Sequence, residues 1–97
     1  MRTPPDPLAA ACRKAVVQYR AREIRLRFLL RPSTLRWIAT ALLEYHLVGQ
    51  RMRAQGIRYH GSDDVLNFYS DQPVARGNGK TAIEAVNALQ TLEWRSA

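Results

Sequence analysis

The chain has 97 residues, a formal net charge of +7, 46% hydrophobic and 24% charged residues. That composition describes one small globular domain and excludes a disordered basic tail. No run reaches the ~18 to 20 apolar residues of a membrane-spanning helix, and Cys12, the single cysteine, excludes an internal disulfide.

The charge is regional. Residues 1 to 36 carry Arg2, Arg13, Lys14, Arg20, Arg22, Arg25, Arg27, Arg31 and Arg36 against Asp6 and Glu23, whereas residues 37 to 97 carry six bases and six acids. Thirteen of the fifteen bases are arginine. Arginine's planar fork matches phosphate and carboxylate, so the field points to a polyanionic partner. The expected compartment is the cytoplasm: an unpaired thiol suits a reducing medium, and Pro4, Pro5 and Asp6 interrupt the place of a secretory signal.

In chain order, residues 1 to 6 read as a loose arm, because Pro4 and Pro5 cannot enter a helix interior. Asp6 followed by Pro7 predicts a helix N-cap with proline at the first helical position. Leu8, Cys12, Ala15, Tyr19, Leu26 and Leu30 then recur at helical spacings, predicting one helix over residues 7 to 30. A second pattern competes with it. Ile24, Leu26, Phe28 and Leu30 alternate with Arg25, Arg27 and Leu29, as in a half-buried strand. The helix is preferred because no turn residue separates the two segments and the flanking residues are good helix formers.

Pro32 and Ser33 end that element. A second helix over residues 34 to 55 is predicted from Trp37, Ala41, Tyr45, Val48 and Met52 on one side and Leu35, Ile38 and Leu42 on the adjoining one. Gly56 is placed as its C′ residue. Ile57, Tyr59, Val65, Leu66, Phe68 and Tyr69 stand between turn-rich segments and predict a small β-hairpin or short sheet. Gly77-Asn78-Gly79 reads as a turn. Lys80 or Thr81 opens a third helix over residues 80 to 94, made amphipathic by Ala82, Ala85, Val86, Leu89 and Leu92. The predicted fold is α+β and predominantly helical, with three helices in a single domain over residues 7 to 97.

Four constellations bear on chemistry. As a helix, residues 7 to 30 put Arg13, Arg20, Arg27 and Arg31 on one flank, with Lys14, Arg22 and Arg25 towards another. As a strand, residues 23 to 30 turn only Arg25 and Arg27 outward, with Glu23 offsetting part of their charge. Either arrangement lets several guanidinium groups follow a phosphate backbone, so Arg13, Arg20, Arg22, Arg25, Arg27 and Arg31 are the candidate nucleic-acid-binding residues. The plain alternative is a solvated basic face.

Gly77-Asn78-Gly79-Lys80-Thr81 resembles the end of a phosphate-binding P-loop, G-x-x-x-x-G-K-[ST]. The first glycine of that pattern would be residue 74, which is Val74, and the chain has no room for the surrounding sheet of an NTPase. Gly77, Gly79, Lys80 and Thr81 therefore stand as a candidate phosphate contact, beside the plain reading of a turn and helix start. His60, Asp63, Asp64 and Asp71 are residues that a small metal-assisted nuclease would use, but their spacing matches no metal or catalytic motif, and turns require such residues anyway. Exposed rings among Tyr59, Phe68 and Tyr69 would stack on bases, although aromatic residues in strands more commonly pack.

The expected function is therefore non-catalytic nucleic-acid binding, to DNA or RNA, with phosphate contacts and little sequence preference. The alternative is a small interaction subunit that docks on an acidic protein surface, joins a ribonucleoprotein or self-associates. No cofactor, metal, catalytic residue or membrane partner is expected.

Overall fold

A computed structural model describes residues 6–31, 34–61 and 63–95. The described residues form, in order, α1 (Pro7–Tyr19), β1 (Ala21–Arg31), β2 (Thr34–Leu43), α2 (Tyr45–Ala54), α3 (Asp63–Ser70), β3 (Pro73–Gly79), α4 (Ala82–Asn87) and β4 (Gln90–Thr91). The strands make one antiparallel sheet in the order β1-β2-β3-β4. The chain is α+β, but the predicted arrangement of three helices and a short hairpin is overturned. Among the described residues there are four short helices around a four-stranded sheet.

The first departure is at Arg20. The predicted helix over residues 7 to 30 stops at Tyr19 because Arg20 adopts a left-handed conformation, φ 52° and ψ 44°. That conformation ends a helix and is costly for a residue with a Cβ. The chain then runs on as β1, in the alternating pattern that competed with the helix. The second predicted helix is split at Glu44. Leu35, Trp37, Ala39, Ala41 and Leu43 alternate along residues 34 to 43, but Ile38 and Leu42 also complete a helical stripe, so the run is ambiguous between a strand and a helix until its neighbours are known. Here both neighbours are strands, so β2 is central and only Tyr45–Ala54 is helical.

The hairpin predicted between the second and third helices is replaced by α3 and β3. Val65, Leu66, Phe68 and Tyr69 sit at helical rather than alternating spacing, and Asp63 and Asp64 occupy the favourable first turn of α3. The third predicted helix shrinks from residues 80 to 94 to Ala82–Asn87, followed by β4. The terminal signals fare better. Asp6 caps α1 by accepting from the Leu8 N–H at 2.9 Å, with Pro7 at the first position. Gly56 stands at the C′ position of α2 with φ +72°. Its N–H donates to Arg53 O at 3.1 Å and that of Ile57 donates to Met52 O at 2.9 Å, the paired bonds of a Schellman ending. Pro32, Ser33 and most of the expected N-terminal arm lie outside the described residues.

One face of the sheet carries the helices. Ile24, Leu26 and Phe28 on β1 stand opposite Ala41, Ala39 and Trp37 on β2, and these stand opposite Ala75, Gly77 and Gly79 on β3. Ala39, Ala41 and Ala75 are fully buried. Small residues there let α4 approach the backbone: a Cβ on Gly79 would meet Ala85 N at 2.6 Å, and one on Gly77 would meet the Ala88 carbonyl carbon at 2.6 Å. Tyr19 of α1 ties this layer together by donating its hydroxyl to Leu89 O at 2.8 Å.

At the other end of the sheet the register slips twice. Leu42 pairs with Glu23 and with Pro73, which leaves Arg22 as an extra residue in β1 and Val74 as an extra residue in β3. Such bulges re-aim a side chain. Val74 joins the buried cluster with Val48, Met52, Tyr69 and Trp94. Arg22 turns towards α2 and α3. The resulting molecule is a slab, 52 × 41 × 18 Å.

Candidate functional site

The face of the sheet opposite α1 and α4 is where the strand arginines gather. Alternation places Arg25, Arg27 and Arg31 of β1 on it, and the register adds Arg36 of β2 and Arg76 of β3. The rows across the strands run Arg25, Thr40, Arg76 and then Arg27, Ile38, Asn78, with Leu29 opposite Arg36. All five arginines are exposed. Strands lie about 4.8 Å apart, so Arg25 and Arg76 flank Thr40 across about 10 Å, and Arg25 and Arg27 rise about 7 Å apart along one strand. Between them lies a shallow depression of about 810 Å³, floored by Ile38, Thr40 and Asn78.

The electrostatics of this face are strongly one-sided. Glu23 is its acid, 3.1 Å from the Arg25 guanidinium. Among the described residues, Arg27, Arg31, Arg36 and Arg76 form no ion pair. The strands hold these side chains at fixed spacing, which is what backbone-following contacts to phosphates require. Aromatic rings stand on the reverse side, where Phe28 and Trp37 pack at a centroid distance of 5.3 Å.

The six arginines singled out from sequence are thus divided. Arg25, Arg27 and Arg31 share the open face. Arg13 is exposed on α1, in the layer on the other side of the sheet, and Arg20 is exposed at the α1–β1 junction. Arg22 is committed to the fold: its side chain is 13% exposed and donates to Leu43 O and Ser70 O, both at 2.6 Å. Its guanidinium also lies 4.2 Å from the centre of the Tyr45 ring and 3.7 Å from Asp71. Sequence reasoning missed Arg36 and Arg76. Their only signal is alternation parity in strands whose order brings them beside β1.

The glycine-rich segment has a packing explanation. Gly77 and Gly79 lie under α4, where any side chain collides with its backbone. Two main-chain donors at the start of α4 are engaged: Lys80 N–H donates to Glu84 Oε2 at 3.0 Å, and Glu84 N–H donates to Thr81 Oγ1 at 3.2 Å. The Glu84 carboxylate already takes the Lys80 main-chain donor. Asp63, Asp64 and His60 are exposed in and before the first turn of α3, while Asp71 follows its end. Among the described residues, no three His, Cys, Asp or Glu side chains gather to hold a metal. Tyr69 is buried and donates to Arg95 O at 3.0 Å, and Tyr59 is half-buried. Phe68 is exposed but packs edge-on against Tyr69. Among the described residues, no helix is long and apolar enough to cross a membrane.

Comparison of the chain with protein-family models, with curated proteins and with solved structures finds no match.

Proposed function

We propose that this protein binds nucleic acid without catalysis, by laying the open face of its sheet along a sugar-phosphate backbone. The observation that carries the reading is the convergence of Arg25, Arg27, Arg31, Arg36 and Arg76, from three strands, on one exposed face with Glu23 as its acid. Guanidinium groups are weakly hydrated, planar forks that pair with phosphate oxygens, and the pre-organised fork loses less entropy per hydrogen bond formed. Thr40 and Asn78 between them supply further hydrogen-bonding groups for phosphate or sugar. Because the aromatic rings of β1 and β2 lie on the reverse side, this face reads backbone rather than stacking bases. Binding then has little sequence preference. The single thiol of Cys12 fits a reducing, cytoplasmic setting.

The test is a titration of duplex and single-stranded oligonucleotides at several salt concentrations, with the natural chain and with Arg27, Arg36 and Arg76 changed to Gln. Each lost phosphate contact should make the slope of log affinity against log salt shallower by about 0.9 on duplex or about 0.7 on single strands. The same slope and affinity in the triple variant would overturn the assignment. Failure of the natural chain to bind either form at physiological salt, with retention of an acidic protein surface instead, would move the face to the alternative partner.

A further inference from the structure

β1 is an outer strand, hydrogen-bonded to β2 on one side, and it is eleven residues long. Its helix-side face reads Ile24, Leu26, Phe28, Leu30. The helices cover only the first part of that row. Phe28 is 46% exposed and Leu30 73%, and Leu35, opposite Leu30, is 60% exposed. The flank of α1 turned away from α4 carries two apolar residues. Ala11, Gln18 and Tyr19 line one depression with Val86 of α4 and Leu89 just after it, so helical geometry turns Ala9 and Val16, with Arg13 beside them, to the opposite flank of α1. The covered and uncovered ends of the row are thus complementary, as an antiparallel pair of identical strands requires.

We propose that a second copy of the chain pairs along this edge, β1 antiparallel to β1, about a two-fold axis at Arg27. Residues whose numbers sum to 54 then stand opposite one another. Leu30 meets the second copy's Ile24, Phe28 meets Leu26, and the uncovered apolar end lies beside the second copy's α1. Charge selects this register. Side chains must keep to their own face, so the sum is even. A sum of 52 sets Arg25 against Arg27 twice, and a sum of 56 sets Arg25 against Arg31 twice. A sum of 50 pairs Glu23 with Arg27 but leaves Phe28 and Leu30 uncovered. A sum of 54 forms two Glu23–Arg31 pairs and confines the like-charge contact to Arg27 on the axis. The open faces of both copies then join into one basic surface.

The proposal is tested in nucleic-acid-free protein, so its outcome is independent of the partner bound by that face. In a Cys12→Ser background, Arg27→Cys should give a disulfide-linked dimer under mild oxidation. Directly opposed residues lie about 4.5 to 5.5 Å apart at Cα, within reach of a disulfide. By sedimentation equilibrium, Glu23→Arg and Arg31→Glu should each weaken the dimer about tenfold, and combining them should restore it. Leu30→Asp should leave a folded monomer by circular dichroism. Arg27→Thr, which removes the repulsion at the axis, should tighten association. A natural chain that stays monomeric at every concentration reached would overturn the proposal. So would a dimer untouched by Leu30→Asp, or charge reversals that do not rescue one another.

Discussion

The guanidinium of Arg22 donates to the main-chain oxygen of Ser70 at 2.6 Å, across 48 positions of sequence. Its other nitrogen reaches Leu43 O at the same distance. One side chain therefore satisfies the last carbonyl of β2 and the last carbonyl of α3, and stacks on the Tyr45 ring at the start of α2. The bulge makes this possible. As the extra residue in β1, Arg22 leaves the alternation that its neighbours obey and joins two helices to the sheet edge.

Arg22→Ala should destabilise the protein by about 2 to 4 kcal/mol in urea unfolding, because two part-buried carbonyls lose a charged donor. Arg22→Lys should recover only part of that, since a single ammonium does not reproduce the fork. Asp71→Asn should cost less than about 0.5 kcal/mol, its carboxylate being 74% exposed and 3.7 Å away. Equal losses for Arg22→Ala and Arg27→Ala would show that the anchoring is not energetically special.

Gly77→Ala and Gly79→Ala should each cost about 2 to 4 kcal/mol, because the added methyl meets backbone atoms of α4 that cannot step aside. Gly49 is the internal control. It lies within α2 and its nearest neighbour is the flexible end of Arg53 at 3.6 Å, so Gly49→Ala should stabilise by about 0.5 to 1 kcal/mol. Thermal melts of the three variants check the contrast.

Arg20→Gly should raise the stability of the fold by about 0.5 to 1 kcal/mol, by relieving a left-handed conformation at a residue with a side chain. The strand that follows should keep its register, which amide exchange of β1 would report. A loss of stability would mean that Arg20 has contacts worth more than the strain.

Burial pushes the Cys12 thiol above its ordinary value, and the nearby Asp6 carboxylate adds to the shift. The folded state therefore favours the neutral thiol. Its contribution to stability is present below the ordinary thiol value and fades as pH rises through the raised one. Alkylation by iodoacetamide at mildly alkaline pH should be slower in the folded chain than in urea, and stability should fall at high pH less steeply in Cys12→Ser. Equal alkylation rates would reject the shift.

Local chemistry was legible where the determinant is local. Asp6, Gly56 and Thr81 end or begin helices through bonds to residues two to four positions away, and each does so as their sequence context predicts. The α1–β1 boundary was not legible, since the residue that turns the chain is an arginine rather than glycine or asparagine. The run from Leu35 to Leu43 suits a helix as well as a central strand, and only pairing with β1 and β3 decides it. Arg25 and Arg27 were readable as outward under the strand pattern. Arg36 and Arg76 join them through strand order alone, and Arg22 leaves them through a bulge that no pattern announces.

Alternation along β1, β2 and β3 separates two sets of demands on the same stretch of chain. Residues facing α1 and α4 are small or apolar, whereas among the described residues Arg27, Arg31, Arg36 and Arg76 are exposed and form no ion pair. Selection can therefore rewrite the outward set one codon at a time without disturbing the inward one. Descendants of this chain would keep the alanines at 39, 41 and 75 and the glycines at 77 and 79 long after the charge of the outward face had changed.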